Sequence, residues 1–140
     1  MKKIEVKTKE YQIVILQEDL VLYTSDLNDE IAYSIFSIKL QKVGLGRNLD
    51  QDQLIRFFEE INQDNIQEFG LINVNIIGGN DSEESKSSLE KLILQLQAID
   101  NNRNIINIRS LDTCDRLHPD SFQVDCYHGG IHAINTNLRL

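Results

Sequence analysis

The residue types able to carry nucleophilic or metal chemistry are unevenly placed. Cys114, His118, Cys126, His128 and His132 all fall in the last 27 residues, and neither cysteine nor histidine occurs before residue 114. A thiol beside an imidazole is the constellation of a cysteine hydrolase: the histidine takes the thiol proton and the thiolate attacks an acyl carbon. Cys114 with His128, or Cys114 with His118, would make such a pair. The same residue types also ligate transition metals. The turn Gly129-Gly130 tests that reading, because it predicts a hairpin between Ser121–His128 and Ile131–Asn135. Across a two-residue turn, His128 faces Ile131 and Tyr127 faces His132. Cys126 and His128 then share one face and His132 lies on the other. Three ligands cannot converge from there, so the histidines read as surface residues, and neither a metal nor another cofactor is expected.

Two further stretches carry polar groups at suggestive spacings. Gly78-Gly79-Asn80-Asp81 precedes a helix, where backbone N–H groups can hold a phosphate. It lacks the Lys-Ser/Thr of a P-loop and the third glycine of a dinucleotide fingerprint. Asp81, Glu83 and Glu84 would also repel an anion. A structural turn is the better reading, with Gly78 and Gly79 supplying backbone angles closed to other residues. Ser25–Glu30 offers Asp26, Asn28, Asp29 and Glu30, but the glycine and terminal glutamate of a calcium loop are out of register. It reads as a solvated loop.

These residues must be positioned by a βα framework. Leu71, Ile72, Val74, Ile76 and Ile77 predict a strand covered on much of both faces. After the double glycine, Asp81 or Ser82 caps a helix, with Glu84 three residues beyond Asp81. Leu89, Leu92, Ile93, Leu96 and Ile99 give that helix one apolar face. Strands are expected over 4–8, 11–17, Leu20–Thr24, Ile31–Leu40 and Ile105–Leu111. Gly44-Leu45-Gly46 reads as a break leading to a second helix. There Asp50 and Gln53 resemble a capping box, and Leu54, Phe57, Phe58 and Ile61 form the buried stripe. Asn62–Phe69 reads as a further short turn, and Asp112–Pro119 as irregular.

The 140 residues predict one α/β domain, with no linker or repeat. No run of about 18 apolar residues exists, so no membrane insertion is expected. The first residues, charged and without an apolar stretch, do not read as a signal peptide. Two cysteines suit a reducing cytoplasm, although an effector exported without such a signal would look the same. A net charge of −8 argues against nucleic acid as a partner. Lys2, Lys3, Lys7 and Lys9, interspersed with Glu5 and Glu10, read as a solvated edge strand. The abundance of Ile, Asn and Gln says nothing about function.

The order of these elements resembles the CheD family of bacterial chemoreceptor glutamine deamidases. The resemblance runs from about Leu20 to Ile134. It rests on strand Leu20–Thr24, the polar loop, a strand, a helix, and then Ile76-Ile77-Gly78-Gly79-Asn80 with its second helix. The next strand ends in Asp112-Thr113-Cys114-Asp115, which keeps the family's opening Asp and lacks its two glycines. The resemblance implies a three-layer α/β/β sandwich, with two main helices on one side of a mixed sheet. That fold is shared with the catalytic domain of cytotoxic necrotizing factor-type toxins. It also implies a cysteine nucleophile, a histidine base and a nearby threonine. Laid onto this chain, the threonine falls on Thr24, the nucleophile on Glu30 and the base on Ser37. A carboxylate does not replace a thiolate in attack on an amide, and a serine is no base near neutral pH. The expectation is a catalytically degenerate domain acting through a protein partner, in an oligomeric state the residues do not specify. The alternative is a thiol-dependent glutamine deamidase using Cys114 with His128 or His118.

Overall fold

The computed structural model describes residues 2–16, 19–62, 70–114, 120–126 and 130–134. Its elements are β1 (Lys2–Glu5), β2 (Glu10–Ile15), β3 (Leu20–Thr24), β4 (Ile31–Ser37), β5 (Lys42–Arg47), α1 (Gln51–Ile61), β6 (Ile72–Gly78), α2 (Glu83–Asp100), β7 (Ile106–Thr113), β8 (Ser121–Asp125) and β9 (Ile131–Ile134). One sheet runs β2-β5-β4-β6-β7 and the other β1-β3-β8-β9. Both are mixed: β6–β7 and β1–β3 pair in parallel, and the remaining neighbours are antiparallel.

The central strands β5, β4 and β6 of the five-stranded sheet are buried on both faces. On one, Ile31, Tyr33, Ile35, Ile72, Val74 and Ile76 pack against Leu54, Phe57, Phe58 and Ile61 of α1 and Leu92 and Leu96 of α2. On the other, Ala32, Val43, Leu45 and Ile77 meet Leu20, Leu22, Phe122 and Val124 of the four-stranded sheet, with Val6 beside them. Alternate residues of β4 and β6 therefore enter different cores. In β6 this leaves an alternation, with Ile72, Val74 and Ile76 toward the helices, Asn73 and Asn75 on the other face, and Ile77 joining the inter-sheet core. Each fully buried Leu, Ile or Phe contributes about 1.5–3 kcal/mol before entropy is counted.

Both helices begin where the sequence places a cap. Asp50 accepts from the Gln53 backbone N–H at 2.8 Å, and the Gln53 side chain accepts from the Asp50 N–H at 3.1 Å, a complete capping box. In α2 the cap is Ser82, which accepts from Ser85 N at 3.2 Å; Asp81 stands outside the helix. The helix ends at Asn101 in the left-handed region, φ 47°. The Asp100 carboxylate then receives the backbone N–H groups of Asn104, Ile105 and Ile106 and steers the chain into β7. Those bonds, led by Ile106, hold its acidity above that of an ordinary aspartate.

Several boundaries differ from the sequence expectation. Gly44-Leu45-Gly46 is no break but the middle of β5, paired on both sides. The glycines make room for an aromatic ring: a Cβ at Gly44 would lie 2.6 Å from Phe57 Cε1, and one at Gly46 3.0 Å from both Phe57 and Tyr33. The Phe57 ring sits 4.9 Å from Tyr11 and 6.3 Å from Tyr33, centroid to centroid. The strand expected to reach Leu40 stops at Ser37, whose hydroxyl accepts from Leu40 N at 3.3 Å in a turn. The two N-terminal strands fall in different sheets, and Lys2 and Lys3 lie exposed on the edge strand β1. Residues 63–69, expected to form a short turn, lie outside the described residues.

The C-terminal hairpin forms with another register. Val124 opposes Ile131 and Gln123 opposes His132, four residues away from the pairing a tight Gly129-Gly130 turn would give. Cys126 is not in the strand. Its N–H bonds Leu20 O at 2.9 Å on the β3 side, while on the β9 side Asp125 N bonds Gly130 O at 2.8 Å. No helix among the described residues is long and apolar enough to cross a membrane.

Candidate functional site

The ends of four strands meet at one rim of the five-stranded sheet. Arg47 at the end of β5 opposes Ala32 of β4, Gly78 at the end of β6 opposes Ile31, and Thr113 at the end of β7 opposes Gly78. The loop from Ser25 to Glu30 leads from β3 into the start of β4 at this rim. Leu27 anchors the loop from below, fully buried, with its N–H on Asp120 O at 3.1 Å.

Glu30 and Arg47 organise the rim. One carboxylate oxygen of Glu30 receives Arg47 Nε at 3.1 Å and Nη2 at 2.7 Å. The other receives Asn48 Nδ2 at 2.8 Å and the Thr8 hydroxyl. The remaining Arg47 donors go from Nη1 to Thr24 Oγ1 at 3.0 Å and Ser25 O at 2.7 Å, and from Nη2 to Asp26 O at 3.0 Å. All five guanidinium N–H groups are thus used, and the group has no acceptor to offer. Only 12% of the Arg47 side chain and 23% of that of Glu30 are exposed, so salt screens the pair less than a surface pair. Burial opposes the charge on Glu30. The hydrogen bonds from Thr8, Arg47 and Asn48, with the Arg47 charge, outweigh it and hold the carboxyl below the usual glutamate range.

The glycine turn continues the rim. Gly78 and Gly79 have φ of +108° and +75°. A Cβ on Gly78 would come within 2.6 Å of Glu30 O, and Gly79 N donates to that same oxygen at 2.8 Å. Asn80 Oδ1 accepts from Ser82 N at 2.9 Å. The fully buried Ser85 hydroxyl accepts from Asn80 N at 3.0 Å and donates to Asp29 O at 2.8 Å. The expected structural turn at Gly78, Gly79 and Asn80 is therefore present, tying α2 to the loop before β4. Asp112 and Thr113, expected to open a turn, instead continue β7, because the parallel ladder with Ile77 and Gly78 holds them extended.

Cys114 follows at once, with φ 56° and its N–H on Gly78 O at 3.2 Å. A Cβ on Gly79 would stand 3.4 Å from its sulfur, so the thiol lies over the glycine turn. Burial pushes the Cys114 thiol up, and the Thr113 hydroxyl and the Lys86 charge only partly offset this. A thiol in that state carries less thiolate at neutral pH than a free cysteine.

The positions singled out in the sequence are partly brought together. Thr24 and Glu30 share the Arg47 guanidinium. Ser37, the position laid onto the base, sits at the other end of β4, buried in its turn and roughly 20 Å from Ile31 along the strand. His118 and His128 lie outside the described residues. His132 is exposed on β9, and Cys126 is fully buried in the inter-sheet core. In the loop Ser25–Glu30, the carbonyls of Ser25 and Asp26 and both Glu30 oxygens already serve Arg47, Asn48 or Thr8. Among the described residues no three His, Cys, Asp or Glu side chains cluster as metal ligands would. Sequence reasoning missed Arg47, Asn48 and Thr8. The available signal was an arginine closing a glycine-containing strand, a position where its charge calls for a partner.

The described residues thus form a mixed α/β domain whose rim is held by a partly buried Glu–Arg pair. The chain belongs to the same family as an uncharacterized protein of Rickettsia conorii. The two are 53% identical over 68 residues, spanning 49% of this chain and 91% of the relative. No family model matches the chain.

Proposed function

We propose that this chain is a CheD-like domain of the three-layer α/β/β kind that has lost its catalytic pair and acts by binding another protein. One observation carries the reading: the groups within hydrogen-bond reach of Glu30 are the Arg47 guanidinium, the Asn48 amide and the Thr8 hydroxyl, none of them a base near neutral pH. In a thiol hydrolase the nucleophile and its base must touch. Here the nucleophile position holds a carboxylate, and its charged neighbour Arg47 has no lone pair with which to take a proton. The layering of helices, five-stranded sheet and four-stranded sheet supports the fold side of this reading. The fully occupied Glu30–Arg47 pair supports the loss of chemistry.

A second reading has one observation in its favour. Cys114 lies at the same rim, over the Gly78-Gly79 turn, where a relocated thiol working with His128 or His118 would stand. Its raised thiol pKa speaks against it. Ammonia release from glutamine-rich protein substrates, including receptor-type ones, separates the two. The binding reading expects none from either the native chain or Cys114→Ala, and slow alkylation of Cys114 by iodoacetamide. Release that vanishes in Cys114→Ala would replace it with the enzyme. A pull-down partner retained equally by Cys114→Ala would support binding.

A further inference from the structure

A cleft separates α1 from α2 on the helix side of the five-stranded sheet. It holds two pockets that share one residue, Gln95. The larger, about 240 Å³, is walled by Leu54, Ile55 and Phe58 of α1 and by Ala98 and Ile99 of α2. The smaller, about 150 Å³, lies toward the N-terminal ends of the helices and is bordered by Lys9, Asp50, Ser88 and Lys91. On α2, Ser88, Lys91, Gln95, Ala98 and Ile99 recur every three or four residues, so they form one stripe along the cleft. From Ser88 to Ile99 that stripe is roughly 16 Å long.

The two ends differ in charge. The chain as a whole carries −8, yet the smaller pocket sets Lys9 and Lys91 against one carboxylate, Asp50. That carboxylate already accepts from Gln53 N at 2.8 Å. Neither lysine forms an ion pair among the described residues. Lys9 is held beside the start of α1, because Gln53 Nε2 donates to its carbonyl at 2.8 Å. At the far end Glu59 balances Arg103, whose guanidinium donates to Ile99 O at 2.6 Å and to Asp100 O at 3.1 Å. Where the pockets meet, Gln95 Nε2 is buried with no acceptor among the described residues. A buried donor without a partner is costly. The terminal amide torsion is soft, so an acceptor placed in the cleft can draw this donor to itself.

We infer that the cleft binds a small amphipathic carboxylate, its head reached by Lys9 and Lys91 and its apolar tail lying between Leu54, Phe58 and Ile99. The anionic head meets the two unpaired lysines and offers Gln95 Nε2 an acceptor. The tail displaces water from the apolar walls of the larger pocket. A cavity of about 150 Å³ takes a benzene-sized group, so the larger pocket suits a tail of roughly six to ten carbons. The head is not placed at Arg103, because the Arg103 donors serve the end of α2 and Glu59 shares that end. The site does not rest on the Glu30–Arg47 pair or on the loss of a catalytic pair.

Octanoate, monomeric in solution, is the probe. It is titrated into the ¹⁵N-labelled full chain and followed by amide chemical shifts. Saturable shifts centred on Leu54, Ile55, Gln95, Ala98 and Ile99 are expected, with a Kd on the order of 0.3 mM. Octan-1-ol, with the same tail and no charge, is expected to bind several-fold more weakly. Replacing both lysines (Lys9→Glu with Lys91→Glu) weakens octanoate by about tenfold or more. Ala98→Trp, at an exposed position, fills the larger pocket and removes the saturable shifts while the rest of the spectrum stays native. The inference is overturned if no saturable shift develops by about 5 mM octanoate, or if octan-1-ol binds as tightly. It is equally overturned if folded Ala98→Trp and the double lysine variant both bind octanoate like the native chain. Binding seen only with anionic vesicles, and not with free octanoate, would assign the cleft to a membrane surface instead.

Discussion

The end of the five-stranded sheet and its β7 edge are built on opposite plans. Around Glu30 and Arg47 the polar groups are taken up: five donors leave Arg47, both Glu30 oxygens are occupied, and Gly78 fits against Glu30 O with no space for a methyl group. On β7, from Asn107 to Asp112, every residue is exposed and, among the described residues, no strand lies beside its outer backbone edge. The comparison separates where chemistry would be sought from where contact is available. A site poised to react keeps some groups unsatisfied until substrate arrives, whereas this rim has already closed on itself.

Substitutions should therefore hurt at the rim and pass almost unnoticed on the edge. The largest effect is expected from Gly78→Ala, which needs a side chain at φ +108° and drives its Cβ into a backbone oxygen. A cost of about 3 kcal/mol follows, lowering Tm by roughly 10 °C in a thermal melt. A loss under about 1 kcal/mol would mean that the turn can relax and the rim is looser than described. Next comes Glu30→Gln, which leaves the Arg47 charge without its carboxylate and should cost about 2 kcal/mol at pH 7.

The same pair sharpens the comparison through pH. Glu30 ionises below its ordinary 4.5 in the folded chain. Its contribution is therefore complete above that pH and is lost as pH falls through the folded value. The stability gap between native chain and Glu30→Gln should narrow below about pH 4.5, as denaturant titrations at pH 7 and pH 3.5 would reveal. A gap that is constant with pH would assign the loss to packing instead of charge. The smallest effect belongs to the edge. Leu111→Lys, half exposed, should change stability by no more than about 0.5 kcal/mol, read in the same titration at pH 7.

Features set by neighbours in sequence were legible, and features set by neighbours in space were not. Leu54, Phe57, Phe58 and Ile61 could be placed in a core from their spacing, and Asp50 with Gln53 from a capping pattern spanning one turn. Leu20–Thr24 was bounded correctly because its apolar run ends against polar residues. Gly44 and Gly46 misled, since their reason is the Phe57 ring, thirteen and eleven residues away in sequence and adjacent only after α1 docks. Arg47 escaped notice for a related cause: its partners Thr24, Ser25, Asp26 and Glu30 lie 17 to 23 residues upstream and meet it only when β4 and β5 pair. The bulge at Arg109, an extra residue between Ile108 opposite Val74 and Ser110 opposite Asn75, is invisible in a strand read by alternation alone, because one added residue looks like a fault in the pattern. The hairpin register is not legible from Gly129-Gly130 alone, since Val124 and not His128 opposes Ile131.

The pairing of β3 with β8 has a consequence for synthesis. Leu22 meets Val124, so the four-stranded sheet closes only after Val124 has been made, about a hundred residues after Leu22. Until then Val43, Leu45 and Ile77 can be covered only by Val6, Leu20 and Leu22 and not by Phe122 or Val124. At ribosomal speeds of about 5–20 residues per second, the wait between Leu45 and Val124 is roughly 4–16 seconds. During that interval the nascent chain presents a flat apolar face, and a chaperone able to shield such a face would act on the ribosome-bound chain more than on the finished protein.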